Sequence, residues 1–189
     1  MRPILIGLTL LGGVSAPALA EALSERLAPC LACHGERGRS ENPEVPSLGG
    51  QPSDFLLIQL YQFREKQRLA EPMNELAEDL SDDDLRAYAE SLSRLPPPAP
   101  AGQAADPSAV GRGRALSAKH RCGFCHNPDF SGHDQIPRLA AQREDYLVKA
   151  LRAYKSGTRV GYDPAMAEVV QPISDPEILD LAAFLAHSG

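Results

Sequence analysis

Two copies of one five-residue pattern constrain this chain more than any other feature. They are Cys30-Leu31-Ala32-Cys33-His34 and Cys122-Gly123-Phe124-Cys125-His126, and all four cysteines of the 189 residues lie inside them. Cys-x-x-Cys-His is the attachment pattern for c-type haem. The two thiols add across the vinyl groups on one porphyrin edge. Two intervening residues let the backbone turn so that both sulfurs reach, and the adjacent imidazole is carried under the ring to the iron. Half of a four-cysteine zinc site is a competing reading, but both copies would have to share one metal and the following histidines would have no role. A thioredoxin-like dithiol lacks its βαβ context here. Two small structural disulfides are the remaining alternative. The expected cofactor is haem c, two copies, covalently attached.

The repeat runs well beyond the motifs. Pro46, Leu48, Gln51, Phe55, Leu60 and Phe63 align with Pro137, Leu139, Gln142, Tyr146, Leu151 and Tyr154 at an offset of 91. Met73, Leu80, Ser81, Leu85 and Leu92 align with Met166, Ile173, Ser174, Ile178 and Leu185 at an offset of 93. Offsets that hold within blocks and drift slightly between them describe a duplication with small loop indels. Pro96-Pro97-Pro98-Ala99-Pro100 and the next five residues separate the copies. Consecutive prolines cannot continue a helix and favour an extended chain, so 96–105 reads as a linker, either semi-rigid or a disordered spacer. The units are then 21–95 and 106–189.

Both units read as helical, and no segment alternates convincingly as a strand. Ser81 and Ser174 each precede an apolar face and carry an acid three residues on, a capping-box arrangement. Ser53-Asp54 likewise precedes Phe55-Leu56, with Leu60 and Phe63 behind. The fold class is all-α, two tandem units joined by a Pro-rich linker. Units of about 80 residues have weak cores by size alone, and the chain has only five Phe, five Tyr and no Trp. Something else is expected to fill them.

Iron held by His34 and His126 takes a second axial ligand. Apart from Met1 the methionines are Met73 and Met166, one per unit and in repeat register. They are the expected ligands, against the plain alternative that methionine is a flexible core filler. His120, His133 and His187 compete, but all lie in the second unit with no counterpart in the first, and they read as surface or loop histidines. His/Met ligation raises the potential and leaves no vacant iron position. Pro46 and Pro137 follow their histidines by 12 and 11 residues, where a backbone carbonyl can take the imidazole N–H.

Residues 1–20 have one Arg, an apolar run and a terminal Ala18-Leu19-Ala20, the pattern of a cleaved secretory signal. Gly7, Gly12, Gly13 and Pro17 interrupt the run, which is short for a span of about 20 residues. An exported protein, periplasmic in a bacterium, is expected. Net charge is −6, which disfavours a nucleic-acid partner. The imbalance is uneven: 8 basic and 15 acidic side chains in 21–95, 10 and 10 in 106–189. Asp79, Asp82, Asp83 and Asp84 with Glu75 and Glu78 cluster ahead of one helix. This is either a solvated face with favourable helix-terminal charge or one end of a dipole that orients docking.

At these residues the chain resembles the dihaem class I cytochromes c, most closely the cytochrome c4 family, over nearly all of the chain after residue 20. Gly35-Glu36-Arg37-Gly38 also resembles that family, whereas Asn127-Pro128-Asp129 departs from it and points to a different loop over the second haem. The resemblance implies two cytochrome c-like domains with Cys30, Cys33, His34 and Met73 at one haem, and Cys122, Cys125, His126 and Met166 at the other. It implies a non-catalytic electron carrier between redox proteins, from a bc1-type complex to a terminal oxidase, peripherally associated with membrane complexes. The alternative is an electron-accepting subunit of a periplasmic dehydrogenase, such as a sulfide-oxidising flavocytochrome. A dihaem peroxidase is a third reading, disfavoured by the methionine pair and by length.

Overall fold

The computed structural model describes residues 16–100, 106–159 and 164–189. Residues 1–15 of the expected export signal lie outside them, as do 101–105 of the linker. Among the described residues the structure is helical, with one isolated bridge between His133 and Ile136 and no strand. None of these helices is long and apolar enough to cross a membrane.

The first half contains α1 (Ala16–His34), α2 (Ser53–Arg64), α3 (Met73–Ala77) and α4 (Asp82–Ser93). The second contains α5 (Pro107–Lys119), α6 (Cys122–Cys125), α7 (Glu144–Lys155), α8 (Ala165–Val170) and α9 (Asp175–Ala186). The repeat is thus legible in three dimensions: α2, α3 and α4 correspond to α7, α8 and α9. The entry helices differ. α1 runs without a break through Pro29 into the motif, whereas at the matching place Arg121 is left-handed (φ 56°) and separates α5 from α6.

Local chemistry sets the helix starts. At α4 the Ser81 hydroxyl accepts from Asp84 N–H (3.2 Å) and the Asp84 carboxylate accepts from Ser81 N–H (3.1 Å), the expected capping box. At α9 the Glu177 carboxylate accepts from Ser174 N–H at 2.8 Å. The start of α2 differs from expectation. Ser53 is already helical, Pro52 takes the cap position, and no side chain caps it. Phe55 N–H in that first turn instead donates to Asp134 O of the second half (3.1 Å), so the second half completes the backbone of the first at this helix start. A base ends α2 and α7 and ties down the next cap: Arg64 donates to Leu80 O (2.9 Å) and Lys155 to Ile173 O (2.7 Å), at matching repeat positions.

Each half has its own core. Leu27, Leu56, Tyr88, Ala89 and Leu92 pack in the first. In the second, Phe130, Leu147, Phe184 and Leu185 form one cluster, and Leu151, Val170, Ile173, Ile178 and Leu181 another. Phe130 and Phe184 meet edge to face at 5.5 Å. The start of the proline run is anchored rather than free: Gly50 N–H donates to Leu95 O (2.9 Å), and a Cβ on Gly49 would sit 2.2 Å from Pro96 O.

Helices α5 and α9 cross at Gly113, where an added Cβ would meet Asp180 O at 2.0 Å. Gly113→Ala is expected to cost about 1–3 kcal/mol through overpacking. Gly111→Ala, with nothing within 4 Å of the new methyl, is expected to be neutral or to stabilise by up to about 1 kcal/mol. Denaturant unfolding of the pair distinguishes close approach from helix propensity.

Candidate haem-binding sites

In each half the motif histidine is buried and its Nδ1 lies 2.8 Å from a proline carbonyl: His34 on Pro46 O, His126 on Pro137 O. A carbonyl only accepts, so Nδ1 carries the proton and Nε2 is left with its lone pair. Burial lowers the pKa of His34, against the Pro46 bond that raises it. Burial also lowers that of His126, against the Pro137 bond that raises it, with a smaller lowering from His133. Burial outweighs the carbonyl bond in each half, and the net lowering keeps the imidazoles neutral, the form that ligates iron.

The thiols are unpaired: Cys30 and Cys122 are half-buried, Cys33 and Cys125 exposed. The disulfide reading therefore has no support in the structure. Burial pushes the Cys30 and Cys122 thiols up. Among the described residues no cluster of three or more His, Cys, Asp or Glu could hold a metal ion, so the shared zinc site has no support either.

The methionines stand at matching places, Met73 opening α3 and Met166 near the start of α8. Both are half-buried, and Met166 packs against the Leu151–Ile178 cluster. Of the competing histidines, His133 is exposed beside Asp134 (3.0 Å), and His187 bonds Ala183 O (2.8 Å) at the end of α9. His120 differs from a surface residue. It caps α5 two residues before Cys122, and its Nε2 is buried with no hydrogen-bond partner among the described residues.

The loops after the motifs share a frame and differ in filling. Gly35 and Asn127 are both left-handed (φ 85° and 67°), as are Gly38 and Phe130 (φ 72° and 58°). Gly38 O accepts from Leu48 and Gly49 N–H, and Phe130 O from Leu139 and Ala140 N–H. The sequence departure at Asn127-Pro128-Asp129 therefore keeps the backbone path while Phe130 enters the core.

Two features escaped the sequence reading. Asn74, buried next to Met73, donates to Phe63 O and Arg68 O (2.8 Å each) and accepts from Ala70 N–H (2.7 Å), pinning the loop into α3. Arg68 and Arg159, at an offset of 91 like their neighbours, meet at the junction of the halves. Both donate to the Gln59 amide oxygen and to Tyr146 Oη. Neither has a carboxylate partner among the described residues. Burial alone would raise the Tyr146 phenol, but Arg159 and Arg68 beside it pull it down to about 8. A buried guanidinium and a half-buried one with no carboxylate partner among the described residues are costly, and a haem, which brings two carboxylates, fits this chemistry.

The Cytochrome c family model matches residues 110–189. Cytochrome c4 of Pseudomonas aeruginosa is 31% identical over 96% of this chain and 94% of its own length. A thiosulfate dehydrogenase electron acceptor from Thiomonas intermedia is 34% identical over 91% and 84%. The crystal structure of reduced cytochrome c4 from Pseudomonas stutzeri superposes with a TM-score of 0.82, at 28% identity, over 90% of this chain and 98% of that one. Fold and motifs define the class, a duplicated c-type cytochrome with two covalent haem c groups. The chain belongs to the cytochrome c4 family. It is an electron-transfer protein rather than an enzyme.

Asn74→Ala removes three bonds and leaves buried backbone groups unpaired. The expected loss is about 2–3 kcal/mol, read by thermal unfolding of the holoprotein. Asn74→Asp, which keeps the acceptor for Ala70 N–H, is expected to recover part of it.

Proposed function

We propose that the protein is a periplasmic dihaem carrier that takes electrons from a bc1-type complex and delivers them to a terminal oxidase. On this reading residues 1–20 are a cleaved export signal, and domains 21–95 and 106–189 are joined by a linker over 96–105. Cys30 and Cys33 tether one haem, with His34 and Met73 as its axial ligands. Cys122 and Cys125 tether the other, with His126 and Met166. Each haem supplies a one-electron couple whose potential thioether ligation raises. The chain's own residues hold the imidazoles neutral through Pro46 and Pro137, and Arg68 and Arg159 neutralise haem carboxylates. The observation that carries the reading is the buried histidine on its proline carbonyl at 2.8 Å, identical in both halves beside a complete motif.

The two ends present different faces to partners. In the second motif Phe124 is 78% exposed, where the first has Ala32. The first half carries the excess of acid, although Asp82, Asp83, Asp84 and Glu78 pair with Arg64, Arg86, Arg26 and Lys66. A dipolar carrier of this kind orients as it docks. A second reading, an electron acceptor for a dehydrogenase, is favoured by the Thiomonas relative, whose name assigns it to thiosulfate dehydrogenase.

Two tests follow. The purified holoprotein is expected to contain two covalent haems by pyridine haemochrome, low-spin in both oxidation states, with a far-red band from methionine on ferric iron. Met73→Ala and Met166→Ala are each expected to remove about half of that band and lower one potential by on the order of 0.1 V, within the roughly 0.8 V that axial ligands span. A band that survives either change overturns that ligand assignment. In stopped-flow measurements with bc1-type and oxidase partners, rates are expected to fall several-fold from about 0.01 M to 0.15 M salt, as the Debye length shrinks from about 30 to 8 Å. Rates flat across that range overturn oriented docking, and a fixed complex with a dehydrogenase on purification overturns the free-carrier role.

A further inference from the structure

Gln51 and Gln142 occupy matching repeat positions, and both are 5% exposed. Each reaches into the opposite half and brackets one residue there. The Gln142 amide oxygen accepts from Ser47 N–H (2.7 Å), and its Nε2 donates to Ser47 O (2.8 Å). The Gln51 amide oxygen accepts from Arg138 N–H (3.0 Å), and its Nε2 donates to Arg138 O (2.9 Å). The orientation of each amide is set by its partners, because a backbone N–H can face only the oxygen. The Gln142 oxygen also takes Arg143 N–H at 3.0 Å.

Ser47 and Arg138 directly follow Pro46 and Pro137. The carbonyl that accepts the histidine N–H and the N–H that donates to the glutamine therefore belong to a single peptide group, once in each half. That group is planar and resonance-coupled, and hydrogen bonds through it polarise one another. An acceptor on the N–H moves electron density onto the carbonyl oxygen. That oxygen then pulls harder on the imidazole N–H, which makes the imidazole a more basic ligand and favours ferric iron.

We propose that Gln142 and Gln51 are positioning residues that each set, through one peptide group, the reduction potential of the haem in the opposite half. The inference rests on His34 and His126 being the axial ligands. The arrangement joins docking to potential: the contact that holds the halves together is also the one that polarises both proximal ligands. Loss of one glutamine contact is therefore felt at the iron of the opposite half, and loss of both contacts at both irons.

The test is redox titration of the holoprotein and its variants. Proton NMR tells the haems apart by the ring protons of Phe124, present only beside the second motif. Gln142→Leu is expected to raise the potential of the first-half haem by about threefold in its reduction equilibrium, about 30 mV at 59 mV per tenfold for one electron. The second haem should stay within a third of that shift. Gln51→Leu is expected to do the reverse. Gln142→Glu, a stronger acceptor for Ser47 N–H that cannot donate to Ser47 O, is expected to lower the first-half potential. Both Gln142 variants lose the same docking bond, so an interface role alone would move both haems together and in one direction. Lys149→Gln, which breaks the cross-half ion pair with Glu44 (3.1 Å) without touching either peptide, is expected to leave both potentials in place. Shifts confined to the variant's own half, equal shifts at both haems, shifts of one sign for Leu and Glu, or no shift all overturn the proposal. Should a Gln142 variant lack full haem content, Gln51→Leu and Gln51→Glu give the same test at the second-half haem. Failure of the ligand assignment is separable, because it appears as a high-spin centre in the unmodified protein.

Discussion

A buried imidazole on a proline carbonyl is the interaction on which the rest of this structure turns. The Nδ1–O distance is 2.8 Å in both halves. It fixes the tautomer, it aims the free nitrogen, and it ties the motif helix to a loop twelve or eleven residues away. That loop then does two further things. Its left-handed residues turn the chain back toward α2 and α7, and its first residue after the proline is gripped by the other half. Burial would be costly for a charged histidine, so the fold and the neutral ligand require each other.

Duplication makes the interface nearly self-complementary. Gln51 meets Arg138 as Gln142 meets Ser47, and Arg68 and Arg159 converge on Tyr146 and Gln59. A pseudo-twofold contact of this kind uses the same surface twice, as an isologous dimer does. Covalent linkage then frees the two copies to diverge. α1 is unbroken where α5 and α6 are separated at Arg121, and Phe130 fills the core of the second half where the first has Gly38. Divergence has gone into the entry helices, the loop filling and the surface, while the peptide groups beside the histidines are kept.

Much of this was legible in the sequence because covalent and periodic signals survive in one dimension. The motifs, the repeat and the capping boxes at Ser81 and Ser174 depend on fixed short spacings. The start of α2 was misplaced by one residue because its cap is a carbonyl from the other half, Asp134 O, which no local pattern encodes. Asn74, the second residue of α3, was missed because an asparagine in the first turn of a helix looks alike in sequence whether exposed or triply bonded. Gln51 and Gln142 were visible only as a repeat match. Their role depends on which surface of each unit faces the other, and that emerges only when the units dock.

The arginine pair shows why such information is absent from sequence. Two like charges buried together oppose folding unless something neutralises them, and among the described residues the strongest acceptors near them are a phenol and an amide. Burial opposes ionisation of the phenol, but the two guanidiniums outweigh it and pull it down to about 8, so that site favours negative charge. On the proposed reading, carboxylates of the haems would answer it. Haem attachment and domain docking would then stabilise one another, because the two arginines that would receive the haem carboxylates lie on opposite halves and meet on the same two acceptors.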